Sequence, residues 1–282
     1  MSDFASDKIR HFKRIYNSRL KSLKLSKKET DYFKRNKYRF IYILEKLNNF
    51  YHPASKILDI GPTPFTLCLK EIFADSDIIA IDISQIWKEA LKSEGICLEV
   101  VDLSHGTLPF PAQSFDIIIF TEVIEHLDVS AIRIIQELRR VLKDNGILIL
   151  STFNARSLKN IIMPVRRSPV IFYSGNAKVY GHIKEYTLKE ITEILKASHF
   201  KILEGRYARY FDNLSFYYTS SRLSRYLGNP KDRECFFLAR RAIIRIITFP
   251  FILGYLILTI LIPSFRMGIF FIAEASGVLY ED

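Results

Sequence analysis

Cysteine is scarce in this sequence of 282 residues, and its scarcity excludes two kinds of small domain. The three cysteines, Cys68, Cys97 and Cys235, form no close pair, which excludes a disulfide framework and a zinc knuckle. A reducing compartment is the simplest expectation. The opening residues, MSDFASDKIRHFKR, contain no apolar stretch, so no secretory signal is predicted. Internal repeats and low-complexity segments are also absent.

Positive charge is unevenly distributed, although the composition, 49% hydrophobic and 25% charged residues, is that of a globular chain. Residues 1–40 carry 13 Lys and Arg against 4 Asp and Glu, a net charge of +9, whereas the other 242 residues carry 28 against 26. Apolar residues recur at helical spacing among these charges, so residues 1–50 are predicted to form a basic N-terminal helical arm. The arm could lie on anionic lipid headgroups, on a nucleic-acid backbone, or over the domain as a solvated helical cap.

Short β-rich runs alternate with amphipathic stretches from residue 56 onward. Five runs are predicted strands: KILDI (56–60), DIIAID (77–82), ICLEVVD (96–102), FDIIIF (115–120) and GILILST (146–152). A helix is predicted at 129–142, closed by Asp144-Asn145-Gly146. Strands that are apolar on both faces and alternate with helices indicate an α/β fold, a parallel sheet with helices on both faces.

The segment after the fifth strand has a looser pattern. Residues 153–186 contain scattered proline, glycine and basic residues, and a long loop at this position is predicted to be a lid. Thr187 and Glu190 then form a predicted capping box that opens a helix at 188–198, followed by a strand around 200–206. Residues 51–206 are therefore expected to form the core domain, with the lid inserted in it.

Residues 207–264 are predicted to form an aromatic and apolar helical insertion. An uncharged run of 20 residues, 246–265, has the length of a membrane span, although Pro250, Gly254 and Pro263 weaken a single straight helix. A last strand predicted at 267–275, within 265–282, requires the chain to return to the domain. A helical hairpin in one leaflet satisfies both features, and a true span or a protein-covered helical pair stays open.

Polar residues end four of the predicted strands. These residues are Asp59 and Gly61 at the end of the first strand, Asp82 and Asp102 at the ends of the second and third, and Thr121 after the fourth. The carboxyl ends of parallel strands share one edge of a sheet, where such sheets bind ligands. An acid about twenty residues past the first loop suits the two ribose hydroxyls of a nucleoside. The convergence of these residues predicts a ligand site at that edge.

Four segments resemble, in order, the signatures of class I S-adenosylmethionine-dependent methyltransferases: ILDIGPTPFTLCL, IIAIDIS, VVDLSHGTLPFPAQSFDIIIFTEVIEHL and LKDNGILILSTFN. The likeness is closest to the subgroup with an EHL fourth motif, and GHIKEYTLKEITEILKASHFKI resembles a later block of that subgroup. The resemblance covers roughly residues 50–206. It implies a Rossmann-like, seven-stranded, mostly parallel sheet in which 267–275 is the antiparallel last strand, inserted beside the fifth.

The resemblance also implies a site for the cofactor S-adenosyl-L-methionine. Asp59, Gly61 and Thr63 would surround its methionine end, Asp82 would bind the ribose hydroxyls with Ile83 against the adenine, Asp102 would accept from the adenine amine beside Leu103, and Thr121 would line the site. The first loop departs from the family pattern, because Pro62, Pro64 and Phe65 stand where small residues are common. Proline has no N–H donor, so weaker cofactor binding is the expected consequence.

His126 and His182 are predicted catalytic residues, because an oxygen acceptor needs a base near neutral pH. A structural histidine bonded to backbone is the alternative for His126, and an ordinary loop histidine is the alternative for His182. Quinone-forming relatives within the resemblance hold a divalent metal at this motif, which implies Glu122, Glu125 and His126 as a possible set. Whether a metal is used stays open.

The function expected from these features is a methyltransferase with peripheral or monotopic contact at the cytoplasmic face of a membrane. A lipid, a quinone or a lipid-linked sugar is the expected acceptor, methylated on oxygen. A soluble methyltransferase for a small metabolite or glycan is one alternative, and a catalytically inactive, membrane-attached binding module is another. Nucleic acid is not expected as a partner, because the residues beyond the arm are nearly neutral.

Overall fold

The computed structural model of the chain describes residues 3–23, 25, 27–105, 107–162, 171–174, 177–208, 253–255 and 257–277. The helices among them are α1 (Asp3–Ser22), α2 (Lys27–Phe50), α3 (Pro64–Ile72), α4 (Lys88–Ser93), α5 (Ala131–Val141), α6 (Leu158–Ile162) and α7 (Leu188–Ala197). The strands are β1 (Lys56–Ile60), β2 (Asp77–Asp82), β3 (Cys97–Val100), β4 (Phe115–Thr121), β5 (Leu142–Phe153), β6 (Ile171–Ser174), β7 (Ala177–Tyr180), β8 (Phe200–Ala208) and β9 (Gly268–Ala275).

Seven of these strands form one sheet, in the order β3-β2-β1-β4-β5-β9-β8, and β6 pairs with β7 in a separate hairpin. Strands β1 to β5 are parallel, and β9 runs antiparallel between β5 and β8. The arrangement confirms the Rossmann-like, mostly parallel sheet and the last strand inserted beside the fifth. The carboxyl ends of β1 to β5 lie along one side of this sheet, called the ligand edge below.

Both faces of the sheet are buried, because successive side chains of a strand point to opposite faces. On β4, Ile117 and Ile119 belong to the apolar cluster that includes α1, α2 and α3. Ile118 and Phe120 belong to the cluster that includes α5 and α7. The strands are apolar on both faces because helices cover each side of the sheet, as the sequence predicted.

Helices α1 and α2 pack on the core of the domain. Phe12 and Tyr16 of α1 are fully buried, and the Phe12 ring meets Phe65 of α3 edge to face, with 5.8 Å between centroids. Phe40 of α2 stacks on the same Phe65 ring at 5.0 Å. The buried apolar residues of α1 are thus used by the fold, and charged side chains such as Lys13 face solvent.

Two predicted helix boundaries have different outcomes. The capping box is confirmed, since the Thr187 hydroxyl accepts from the Glu190 N–H at 3.1 Å and α7 begins at the next residue. The prediction that residues 144–146 form the turn between the helix and the next strand is wrong. Strand β5 begins earlier, at Leu142, because Leu142 already pairs with Phe115 of β4, and Asn145 lies inside the strand with a φ of 62°.

The lid segment and the apolar insertion are described in part. Helix α6 and the β6–β7 hairpin lie within 153–186, whereas 163–170 and 175–176 are outside the described residues. In the insertion, 253–255 and 257–261 are helical and a 3-10 helix follows at Pro263–Phe265, whereas 209–252 and 256 are outside. No helix in the described part of the chain is long and apolar enough to cross a membrane.

Candidate active site

Strand pairing brings predicted cofactor residues together at the ligand edge. The N–H of Gly61 donates to the Ile81 carbonyl at 2.9 Å, which aligns Gly61 with Asp82 of the neighbouring strand. The pairing of β1 with β4 brings Thr121 to the other side of Gly61. Asp102 follows β3, one strand beyond β2. The polar strand ends therefore lie along one edge in a single row, as the sequence predicted.

Asp59 is buried near the end of β1. Its carboxylate accepts a hydrogen bond from the Thr66 hydroxyl of α3 at 2.5 Å. Burial, with an addition from the negative charge of Asp82, raises the pKa of Asp59 to about 7, although the bond from Thr66 acts in the opposite direction. The carboxyl is therefore balanced between its neutral and charged forms near neutral pH, and a cation beside it would favour the charged form.

The first loop uses its own donors where α3 begins. The Thr63 hydroxyl accepts from the Phe65 N–H at 3.2 Å, and the Thr63 N–H donates to the Thr66 hydroxyl at 2.9 Å. Pro64 is the first residue of the helix, a position where a missing N–H costs little. The N–H groups of Thr63 and Phe65 are thus engaged within the protein.

Gly61 has a geometry that other residues would strain. Its φ is +76°, in the left-handed region, and an added Cβ would lie 3.0 Å from Cγ2 of Val123. The first loop and the turn after β4 therefore approach each other closely at this glycine.

Asp82 and Asp102 each cap the turn that follows their strand. Oδ1 of each carboxylate accepts the N–H two residues further on, at 2.8 Å in both cases. Burial raises the pKa of Asp82, and its bonds from the following turn oppose the rise. Ile83 and the buried Leu103, predicted to flank an adenine, directly follow the two acids. Adjacent strands thus present the same pair, an acid and an apolar side chain.

Two buried glutamates follow β4 and face a buried arginine. Glu122 accepts from the Ser151 hydroxyl and Glu125 from the Thr152 hydroxyl, both at 2.8 Å, and Nη1 of Arg39 lies 3.7 Å from Oε2 of Glu122. Burial raises the pKa of both carboxyls. Arg39 opposes the rise for Glu122, whereas the charge of Glu122 adds to it for Glu125. Arg39 is absent from the predicted site, although its place in the apolar stripe of α2 was a signal of burial.

The two predicted catalytic histidines are in contact. The ring centroids of His126 and His182 lie 5.0 Å apart, with the ring planes at 73°. Nδ1 of His182 lies 3.0 Å from Oε1 of Glu185, and Oε2 of Glu185 accepts from the Asn160 amide at 2.6 Å. The end of the lid segment therefore carries an oriented imidazole to the turn after β4.

The residues that could hold a metal differ from the set implied by the resemblance. Within the described ranges, ligand atoms of Glu125, His126 and His182 all lie within 4.8 Å of one another. Glu122 is instead held by the Ser151 hydroxyl and lies beside Arg39. Among the described residues, the group with metal-ligand spacing therefore contains His182 of the lid and not Glu122.

Comparisons with known proteins agree with the fold. Residues 25–204 match the model of a family described as a methyltransferase domain. A probable S-adenosylmethionine-dependent methyltransferase of Mycobacterium tuberculosis is 30% identical over 118 residues, which are 42% of this chain and 38% of that protein. A ubiquinone biosynthesis O-methyltransferase of Haemophilus ducreyi is 30% identical over 139 residues, 46% of this chain and 57% of that protein.

A solved structure from Galdieria sulphuraria, described as a candidate sarcosine dimethylglycine methyltransferase, shares the fold with a TM-score of 0.54. Its sequence is 15% identical, and the likeness covers 86% of both chains. The chain spans between 38% and 57% of the length of the two curated relatives named above. The family model, in contrast, matches well over half of this chain. The chain therefore belongs to the methyltransferase domain family, among the class I S-adenosylmethionine-dependent methyltransferases.

Proposed function

We propose that the chain is an S-adenosylmethionine-dependent O-methyltransferase that acts at a membrane surface on a lipid, a quinone or a lipid-linked sugar. An apolar surface beside the ligand edge carries the proposal. This surface, the apolar patch, consists of exposed side chains in 253–262: Leu253, Ile257, Leu258, Ile260, Leu261 and Ile262. Leu261 is the most exposed of them, at 70%. Contiguous exposed apolar side chains mark interaction sites for membranes, proteins or apolar ligands.

The apolar patch is joined to the carboxyl end of β5. Asn154, the residue after β5, donates from its amide to the carbonyls of Ser264 at 2.8 Å and Arg266 at 2.7 Å. Arg266 donates to the Thr259 carbonyl within the patch helix at 3.0 Å. An acceptor dissolved in a lipid layer that covered the patch would therefore enter close to the ligand edge.

Contact with lipid would remove the six apolar side chains of the patch from water. Full burial of one leucine or isoleucine is worth roughly 1.5–3 kcal/mol, so six side chains about half exposed would contribute on the order of 5 kcal/mol before ordering costs. A free energy of this size supports reversible contact rather than permanent insertion. Peripheral or monotopic attachment at the cytoplasmic face is the corresponding proposal for localisation.

The proposed cofactor roles are those implied by the family for the residues at the ligand edge. Asp82 binds the ribose hydroxyls, Asp102 the adenine amine, Ile83 and Leu103 contact the adenine, Asp59, Gly61 and Thr63 surround the methionine end, and Thr121 lines the site. The buried carboxyl of Asp59 supports this arrangement, because the positive charge of the cofactor would compensate its ionised form.

Proton removal from the acceptor hydroxyl is proposed at the contact between His126 and His182. The sulfonium methyl of the cofactor is already activated, so the protein contributes mainly placement, worth about 7–11 kcal/mol at best. An oxygen nucleophile must lose its proton as well, and the two imidazoles are the groups suited to that step. The Haemophilus ducreyi relative, an O-methyltransferase of ubiquinone biosynthesis, supports an oxygen acceptor.

Flotation with anionic phospholipid vesicles, followed by transfer of labelled methyl groups to a lipid extract, tests the proposal. We expect the protein to float with the vesicles and the double variant Ile260→Asp/Leu261→Asp to stay behind. The matched control is Leu203→Asp, which changes a similarly exposed leucine on β8. Labelling of a polar metabolite extract without flotation would contradict the membrane assignment and favour the soluble methyltransferase. Flotation without any cofactor binding would favour the inactive binding module.

A further inference from the structure

We propose that the N-terminal half of α2 is a second membrane contact, which binds the anionic headgroups of the same lipid layer that the apolar patch enters. The contact consists of the exposed side chains of Lys27, Lys34 and Tyr38, called the headgroup face below. The inference rests on the proposed function at a membrane surface and extends it, because it specifies which side of the domain faces the lipid. Its test needs neither cofactor nor acceptor.

The headgroup face is one side of a helix. Lys34 and Tyr38 follow Lys27 by seven and eleven residues, about two and three helical turns, so the three side chains lie in one row along α2. All three are exposed, and Tyr38 is 63% exposed. Phe33 and Phe40 on the opposite side of the helix are buried in the core. The row is therefore the outward side of α2.

Contacts with the core place this half of α2 along the ligand edge. The Phe33 ring meets Trp87 edge to face, with 6.0 Å between centroids, and Trp87 lies between β2 and α4. Nη1 of Arg39 lies 3.7 Å from Oε2 of Glu122, the residue after β4. Both partners follow the carboxyl ends of parallel strands. The headgroup face therefore belongs to the same side of the domain as the predicted cofactor residues.

The end of β8 connects this helix to the apolar patch. Tyr42, one turn after Tyr38, lies against the Arg206 guanidinium, whose carbon is 4.3 Å from the ring centroid. The carbonyl of Tyr207, the next residue of β8, accepts from Nη1 of Arg266 at 3.1 Å. Arg266 is also the residue that donates to the patch helix. The headgroup face and the apolar patch are thus joined through packed residues, and a single lipid layer can cover both.

The charge of this part of the arm suits an anionic surface. Residues 21–38, which include the turn from α1 to α2, contain seven Lys and Arg against two acids, Glu29 and Asp31. Asp31 lies in the row of the headgroup face but is partly buried, whereas Lys27 and Lys34 are exposed. Clusters of Lys and Arg beside an apolar segment are typical of surfaces that bind anionic lipids. Tyrosine is enriched at the depth of the headgroups.

A nucleic acid would match the positive charge but not the apolar patch. The six apolar side chains of the patch would stay in water on a polyanion, whereas a lipid layer covers apolar and basic surface together. The residues beyond the arm carry 28 basic against 26 acidic residues and add little attraction for a polyanion. Anionic lipid is therefore the occupant that fits both surfaces.

Partition of the full-length protein onto vesicles that mix phosphatidylcholine with phosphatidylglycerol tests the inference. One basic residue at an anionic surface strengthens binding about fivefold, so Lys27→Gln/Lys34→Gln should lower the partition coefficient roughly 25-fold. On vesicles of phosphatidylcholine alone, this variant should bind like the natural protein. The matched control is Lys92→Gln/Lys196→Gln, which removes the same charge near the ends of α4 and α7, at the opposite side of the sheet. The control should keep the partition of the natural protein on both kinds of vesicle.

Fluorescence from position 38 tests the orientation separately. The chain has a single tryptophan, Trp87, which is partly buried, so Tyr38→Trp adds one exposed reporter. The added emission should shift to shorter wavelength on anionic vesicles and should be quenched by brominated lipid. Leu203→Trp, which places the reporter on β8 at another exposed position, should show neither effect.

Three results would overturn the proposal: unchanged partition of Lys27→Gln/Lys34→Gln on anionic vesicles, an equal loss in its control, or an unquenched reporter at position 38. Binding of an RNA oligonucleotide that is lost in the same lysine variant, without any binding to vesicles, would assign the face to nucleic acid instead. Methyl transfer to a lipid extract is read separately. Lysine-dependent partition without methyl transfer would refute the proposed activity alone, and methyl transfer with unchanged partition would refute the headgroup face alone.

Discussion

Asp59 should make the folded protein less stable as the pH rises from 5 to 8. Its buried carboxyl accepts from the Thr66 hydroxyl and has a pKa raised from 3.8 to about 7. A proton that the folded state holds more tightly than the unfolded state stabilises the folded state at low pH. This contribution is fully present below the unfolded pKa of 3.8 and is lost as the pH rises through the folded pKa of about 7.

The magnitude follows from the two pKa values of Asp59. Their difference of about 3 units corresponds to about 4 kcal/mol of unfolding free energy, of which about 3 kcal/mol titrates between pH 5 and pH 8. Asp59→Asn removes the titration and keeps an oxygen that can accept from the Thr66 hydroxyl. Relative to the natural protein, the variant should therefore gain about 3 kcal/mol on going from pH 5 to pH 8.

Urea unfolding at pH 5 and pH 8, without cofactor, measures this gain. Asp116→Asn is the control, because despite partial burial the Lys143 ammonium holds the pKa of Asp116 below its usual range. Its titration lies below the tested pH range, so the control should differ from the natural protein by the same amount at both pH values. The same constancy in Asp59→Asn would refute the reasoning, since it would mean that the Asp59 carboxyl is ionised in the free folded protein throughout.

Two further substitutions test the packing by urea unfolding. Gly61→Ala should lower the free energy of unfolding more than Gly95→Ala. Both glycines have a positive φ, which costs an alanine roughly 1–2 kcal/mol. Only at Gly61, however, would the added Cβ lie 3.0 Å from Val123. Equal losses would show that the turn after β4 yields to the methyl group. Phe12→Ala should lower the free energy of unfolding by about 3–5 kcal/mol, because Phe12 is fully buried. Lys13→Ala, at an exposed position, should change it little. A small loss for Phe12→Ala would contradict the packing of α1 on the core.

The central strands could be predicted because their local pattern is imposed by burial on both faces. KILDI and DIIAID have the bounds that the sequence indicated, Lys56–Ile60 and Asp77–Asp82. The acids that end the strands were found for the same reason, since a polar residue that ends an apolar run marks the edge of the sheet. The position of β9 came from the family resemblance, because the order of strands in a sheet depends on long-range pairing.

Long-range contacts explain what the sequence did not indicate. Arg39 lies in the apolar stripe of α2, but its pairing with Glu122 depends on the long-range approach of that helix to the turn after β4. Glu185 lies in the GHIKEYT block without an assigned role, and its bond to His182 appears only when the folded lid brings His182 against His126. The early start of β5 depends on its pairing with β4, which overrides the turn signal in its own sequence. The roles of the residues at the ligand edge in cofactor binding stay predictions.

Calorimetric titration with S-adenosylmethionine and S-adenosylhomocysteine tests most directly whether the ligand edge binds the cofactor. We expect micromolar binding by the natural protein and its loss in Asp82→Ala. Asp77→Ala, which changes an acid at the opposite end of the same strand, should bind normally. Absence of binding by well-folded natural protein would mean that the ligand edge is not a cofactor site, and the inactive, membrane-attached binding module would then become the leading hypothesis.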